Sequence, residues 1–273
     1  MRLAEGVSSG GLEIAVVHLV WAPTGARELE EFLAAYRAHT AGVEHRLAVI
    51  LNGFDGRGDP RLLEVERILE GVDHEQVVMP HSVLDLSAYR YEAEETDAGL
   101  LCFLNSYSRP LVDGWLSQLA APLSRPDVGL TGIGGSYESA YSAAPFWLRH
   151  RRRRDFDPFP NPHLRTNGFM LERELMLDLD WPPLDSKVAA WALESGKRSL
   201  SRQVWDRGLE VLVVGRDGRT YERDRWRESA TFRSGGQRNL LIGDNRTLQY
   251  EEADLGMKHT LEQMAWGVTE THA

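Results

Sequence analysis

Short runs of Val, Ile and Leu alternate with amphipathic stretches through the first half of this chain, and that alternation constrains the fold most. Leu12 to Val20 and Leu47 to Leu51 are continuous apolar runs bounded by turn formers, as strands buried on both faces are. Between them Leu29, Phe32, Leu33 and Tyr36 follow the i, i+3, i+4, i+7 spacing of one helix face. Asp59-Pro60 supplies a capping carboxylate and a first-turn proline for a second helix over about residues 60–70. Further strands are expected at Val77 to Met79, Leu100 to Leu104 and Val128 to Thr131, with helices near 85–96 and 113–121 between them. This β-α-β-α order predicts an α/β fold whose parallel central sheet is flanked by helices through right-handed crossovers. Ligands of such sheets bind beyond the carboxyl ends of the strands, so the loops after Val20, Leu51 and Leu104 matter most.

The second half is less regular. His150 to Arg154 is a basic run, and Asp155 to Pro162, rich in Pro and aromatic residues, reads as loop. Gly168 to Leu171 predicts another strand and 172–179 a helix. A helix over 187–195 stops at Gly196 and a second at Gly208, the left-handed position that commonly follows a helix. Val211 to Val214 leads into the turn Arg216-Asp217-Gly218, a hairpin signal, and Met257, Leu261 and Met264 mark a last helix. With no repeat and no linker, the 273 residues read as one domain, with a core over about 12–215 and an irregular extension over 216–273.

Composition narrows the function. The chain carries 41 acids against 31 bases, a net charge of −10, which argues against sequence-independent nucleic-acid binding. Lysine occurs only at 187, 197 and 258, so the basic side chains are overwhelmingly Arg, the residue suited to forked contacts with carboxylate or phosphate. The single Cys102 excludes an internal disulfide and a Cys-based zinc cluster, and its apolar surroundings make it a buried small hydrophobe. Met1 to Gly11 lacks a charged-then-apolar signal and no apolar stretch approaches the roughly 20 residues of a membrane span, so the expectation is a cytoplasmic protein.

Phe103-Leu104-Asn105-Ser106-Tyr107-Ser108-Arg109-Pro110, followed by Gly114-Trp115-Leu116, is the most informative stretch. A buried strand ends in a polar loop, and a helix carrying Trp follows. Here the sequence resembles GT-A-fold glycosyltransferases of the large inverting family 2 type, and more narrowly a bacterial subgroup near the rhamnan-synthesis glycosyltransferases. Asp85-Leu86-Ser87-Ala88-Tyr89, Arg165-Thr166-Asn167-Gly168-Phe169-Met170 and Glu194-Ser195-Gly196 carry the same resemblance, which spans about residues 12–215. Each motif is loose; the combination and order are specific.

The resemblance implies a GT-A-like, Rossmann-like sheet and a donor site for a nucleotide-diphosphate sugar. Trp21 and Pro23 at the first strand's exit and Asn52 at the second's would hold the nucleotide, with Asp85 and Tyr89 near the donor. The family usually has a carboxylate at or near the position of Asn52. Asn105, Ser106, Tyr107, Ser108 and Arg109 stand where the family carries its Asp-x-Asp metal motif, yet they offer no negative charge for the implied Mg²⁺ or Mn²⁺. Two readings follow. Arg109, Arg165, Lys187 and the Arg233/Arg238 pair replace part of a metal's charge on the departing diphosphate. Alternatively Asn105 and Ser106 only cap the strand end and a distant acid, Asp244, binds metal; His163 is the one histidine to watch as a ligand.

The resemblance places Glu194 as the general base that takes the acceptor hydroxyl's proton, against the alternative of an exposed helix-end acid. Tyr137 and Glu138, with Arg165 and Asn167, fall on the acceptor side, or else in a surface loop. Gly132-Ile133-Gly134 is not a dinucleotide-binding turn, because the third glycine position holds Tyr137. Arg151 to Arg154 either attract an anionic lipid-linked acceptor or a membrane surface, or form a solvated face, so membrane contact is at most peripheral. Trp226 to Asn245 is either a lid over the donor or a packed tail. The implied activity is inverting transfer of a sugar to a hydroxyl of a glycan or lipid-linked saccharide. Two rivals are a non-catalytic sugar- or nucleotide-binding module and a nucleotidyltransferase, whose Gly-rich basic first loop Trp21-Ala22-Pro23-Thr24-Gly25 does not match.

Overall fold

The computed structural model describes residues 12–268; Met1 to Gly11, read above for a targeting signal, and 269–273 lie outside the described residues. The chain opens with β1 (Ile14–Trp21), α1 (Gly25–Ala38), β2 (Arg46–Asn52), α2 (Pro60–Leu69) and β3 (Glu75–Val78). It continues through α3 (Asp85–Glu95), β4 (Leu100–Leu104), the short β5 (Arg109–Pro110), α4 (Trp115–Ala120) and β6 (Val128–Gly132). Next come β7 (Gly135–Ser136), α5 (Phe146–Arg152), β8 (His163–Leu164), β9 (Gly168–Glu172) and α6 (Arg173–Asp178). The last part holds α7 (Lys187–Ser195), α8 (Leu200–Asp206), β10 (Glu210–Val214), β11 (Thr220–Tyr221), β12 (Ile242–Gly243), α9 (Asn245–Glu252) and α10 (Leu255–Trp266).

Eight strands form one mostly parallel sheet in the order β11-β10-β6-β9-β4-β1-β2-β3, flanked by helices. Its central strands β1, β2 and β4 are mostly apolar because both faces are covered. Ala15, Val17 and Leu19 of β1 enter one core with Leu101 and Phe103, while Ile14, Val16 and Val20 enter the other with Cys102 and Leu104. Helix α1 covers the second core through Leu29, Phe32 and Leu33, the stripe expected from spacing. Asp59 caps α2 by accepting from the Arg61 backbone N–H at 2.9 Å.

The strand predicted at Gly168 to Leu171 exists, and its direction, which the sequence does not give, is antiparallel to both of its neighbours, β4 and β6. A short strand buried on both faces has the same apolar composition in either direction, and the long segment between β6 and β9 is no ordinary helical crossover. The reversal matters for the site. It places the entry to β9, residues 165–167, at the rim where β1, β2 and β4 end, and the Asn105 N–H donates to the Asn167 carbonyl at 3.1 Å.

Gly208 takes the expected left-handed conformation (φ 76°) after α8, but Gly196 has φ −84°. Gly196 is needed for close approach instead: a Cβ there would lie 2.4 Å from the Ala192 carbonyl oxygen and 2.7 Å from that of Asp155. Two helices, α5 and α9, were not anticipated. Helix α5 carries the basic run; Phe146, Trp147, Arg151, Arg153 and Arg154 face solvent, while the Arg152 guanidinium lies over the Trp191 ring at 5.1 Å. Residues 226–245 are largely packed, with Trp226, Thr231, Phe232, Leu240, Leu241 and Ile242 buried. Among the described residues, no helix is long and apolar enough to cross a membrane.

Candidate active site

A cleft of about 1280 Å³ opens at the carboxyl rim of the sheet, where the topology requires a ligand to sit. Trp21 from the end of β1, residues 81–85 entering α3, Asn105 to Tyr107 after β4, and Arg165 to Asn167 before β9 line it. Helix α7 contributes Lys187, Trp191 and Glu194, an i, i+4, i+7 face. Phe232, Arg233, Asn245 and Arg246 close the far side.

Glu194 therefore stands in the cleft, not on a free surface. Its Oε1 accepts from the Thr166 backbone N–H at 3.1 Å and from the Thr166 hydroxyl at 3.0 Å, and neither bond uses Oε2. Asp85, at the first turn of α3, shares the cleft; burial raises its carboxyl above the ordinary range, and the Glu194 charge adds to this. His163 is buried, with Nδ1 donating to the Asn161 carbonyl at 2.9 Å, and burial pushes its pKa down so that the ring stays neutral.

Asn105 is spent on its own turn. Its Oδ1 accepts from the Tyr107 N–H at 3.0 Å and lies 3.0 Å from the Ser108 hydroxyl, which also reaches the Asn167 carbonyl at 2.8 Å. The Asp244 carboxylate is equally occupied. One oxygen caps α9 by accepting from Arg246 and Thr247 N–H at 2.7 and 2.9 Å; the other meets Arg165 at 3.0 Å. Among the described residues no group of three or more His, Cys, Asp or Glu side chains is placed to hold a metal ion. Neither Asn105 nor Asp244 therefore has an oxygen to spare for the implied Mg²⁺ or Mn²⁺, which take hard oxygen ligands.

Several residues singled out above lie elsewhere. The Arg109 guanidinium pairs with Glu28 and Glu31 of α1, outside the cleft lining. Tyr89 is a core residue against Phe103, with ring centroids 4.7 Å apart. Tyr137 donates its hydroxyl to the Arg223 carbonyl at 2.6 Å and packs edge-on against Trp266, while neighbouring Glu138 does line the cleft. Pro23 and Ser108 are not in the lining. Asn52, buried beneath the rim, clamps Val83: its Nδ2 donates to the Val83 carbonyl at 2.8 Å and its Oδ1 accepts the Val83 N–H at 3.0 Å. It shapes the wall formed by residues 81–85 from behind. Arg233 and Arg238 separate: Arg233 is buried on the cleft, whereas exposed Arg238 donates to the Gly235 carbonyl at 3.1 Å.

Sequence reasoning missed Thr166 as a partner of Glu194, and missed Trp191, Phe232 and Arg246. Only Trp191 had a legible signal, since it shares a helix face with Lys187 and Glu194.

No family model matches the chain, and no curated protein matches it. Among solved structures, it is similar to a mannosyltransferase from Pyrobaculum calidifontis in complex with GDP-Man and Mn²⁺ at 13% identity and a TM-score of 0.45, covering 65% of this chain. The chain spans about half of that protein, 49%. It is also similar to GalNAc-T7 with UDP, GalNAc and Mn²⁺ (14% identity, TM-score 0.49, 74% of this chain and 42% of that one). A third is the 4-diphosphocytidyl-2C-methyl-D-erythritol synthase of Anaerococcus prevotii (14%, TM-score 0.47, covering 75% and 89%). All three are distant likenesses.

Proposed function

We propose that the protein is a glycosyltransferase that moves a sugar from a nucleotide diphosphate to a hydroxyl of a glycan or lipid-linked saccharide, with inversion. The observation that carries this reading is Glu194, fixed by Thr166 in a large polar cleft at the carboxyl rim, with one carboxylate oxygen outside those bonds. In the reaction, the acceptor oxygen attacks the anomeric carbon while the bond from that carbon to the diphosphate oxygen breaks. The electron pair leaves with the diphosphate, and the hydroxyl proton passes to Glu194. General-base assistance of this kind contributes roughly 10²–10⁴ in rate. Glu138 and Asn167, on the wall beside Glu194, supply acceptor and donor groups suited to sugar hydroxyls.

The second reading, a non-catalytic sugar- or nucleotide-binding module, draws on Asn105: its amide oxygen, at the end of β4, is consumed by its own turn. Screening UDP-, GDP- and dTDP-sugars for release of nucleoside diphosphate, with and without added saccharide acceptors, separates the two. Turnover of any donor establishes the enzyme; saturable binding with no turnover leaves the module.

A further inference from the structure

Arg233 is a buried guanidinium, 5% exposed, that lines the cleft and has no carboxylate within ion-pairing distance among the described residues. Its Nε has no hydrogen-bond partner, and its one side-chain bond, to Gln249, is long at 3.5 Å. Arg165 lies close by on the same wall. Both guanidiniums sit over the ring of Phe232, with their central carbons 3.8 Å (Arg165) and 4.9 Å (Arg233) from its centroid. Glu138, and then Asp244, which also pairs with Arg165 and caps α9, offset part of the Arg233 charge without an ion pair to it. Burial, and then the Arg165 charge, hold the Arg233 pKa below the usual arginine range. Arginine nevertheless stays protonated, so this charge is buried with its compensation incomplete.

The backbone holds it there under strain. Arg233 has φ 44°, and Ala230 and Gln237 on either side have φ 52°, conformations that side-chain-bearing residues rarely adopt. The surroundings enforce them: Gln237 accepts from the Arg233 N–H at 3.1 Å, and the Trp266 indole donates to the Phe232 and Arg233 carbonyls at 2.9 and 3.1 Å. A strained, over-determined loop that presents an incompletely compensated buried cation to a cleft is the arrangement of an anion receptor.

We propose that Arg233, seconded by Arg165, is a receptor for a phosphate-type anion that binds without a divalent metal. Resting on the function proposed above, the anion is the diphosphate of the donor, and the guanidiniums take the charge that develops on it as the bond to the sugar breaks. This accounts for a rim at which Asn105 and Asp244 have no oxygen to spare for a cation. Arg233 can give a forked pair of N–H bonds to two phosphate oxygens, which lysine cannot.

The test uses inorganic pyrophosphate in excess EDTA as the probe, read by calorimetric titration and by the shift in Tm. Wild type binds it and gains Tm. Arg233→Met, which keeps an unbranched chain on Phe232, loses roughly 10- to 100-fold in affinity. Without ligand its Tm is equal to or above wild type, because a buried charge without an ion-pair partner has been removed. Arg233→Lys recovers part of the binding, and Arg238→Ala changes nothing. Pyrophosphate binding in wild type that appears only with added Mg²⁺ or Mn²⁺ overturns the proposal, a measurement that needs no variant. Folded Arg233→Met that binds as wild type also overturns it. Competition by UDP, GDP or dTDP identifies a nucleotide diphosphate as the source. If pyrophosphate binds through Arg233 and no nucleoside diphosphate competes, the receptor stands and the glycosyltransferase reading fails. If nucleoside diphosphates bind equally without Arg233, the reading survives and the receptor falls.

Discussion

Thr166 meets Glu194 twice: its backbone N–H and its hydroxyl both donate to the same oxygen, at 3.1 and 3.0 Å. The N–H comes with the entry to β9 and the hydroxyl is a side-chain choice, so the two contributions are separable. Thr166→Val keeps the shape and removes only the hydroxyl. The expected result is a fall in kcat of about tenfold, on the scale of one hydrogen bond, with KM for the donor little changed. Thr166→Ser restores most of it. A change confined to KM makes Thr166 a binding residue and removes its role in holding Glu194.

The Asn52 amide is matched to a peptide unit, that of Val83, at both its oxygen and its nitrogen. Asn52→Asp removes the donor to the Val83 carbonyl and sets a carboxylate against that oxygen, now 2.8 Å from Nδ2. It should destabilise the fold by about 1–3 kcal/mol, read as a lower Tm. Unchanged Tm with tighter nucleoside diphosphate binding would place Asn52 at the ligand rather than behind the wall.

Much of this was legible in the sequence, and the reasons divide cleanly. Strands β1, β2 and β4 announce themselves because a strand buried on both faces is apolar at most positions, as at Val16, Val17, Ile50 and Phe103. The direction of β9 leaves no such trace. Glu194 was singled out through the family resemblance, and the cleft-facing position of Lys187 and Trp191 on the same helix follows from helical spacing. The fate of Arg109 was not legible, because its partners Glu28 and Glu31 lie about eighty residues earlier and meet it only through the fold. Nor could the sequence tell Arg233 from Arg238, where burial alone makes the difference.

Glu92 gives the fold a pH signature. It is buried, with Oε2 lacking a partner, and burial, then the nearby Glu75 charge, raise its pKa from 4.5 to about 7 against the opposing pull of Arg46. The folded state therefore keeps a proton that the unfolded chain releases. The stability it gives is full below pH about 4.5 and is lost as pH rises through about 7. Glu92→Gln, neutral at every pH, should flatten that part of the stability profile and raise Tm at pH 8 relative to wild type. Parallel profiles for the two proteins would mean that Glu92 titrates normally.

The most direct measurement compares wild type and Glu194→Gln for donor binding and sugar transfer on the same nucleotide sugar. Dissociation constants within about threefold of each other are expected, with turnover lowered by roughly 10²–10⁴ in the variant. Equal turnover in the two proteins would contradict Glu194 as the base.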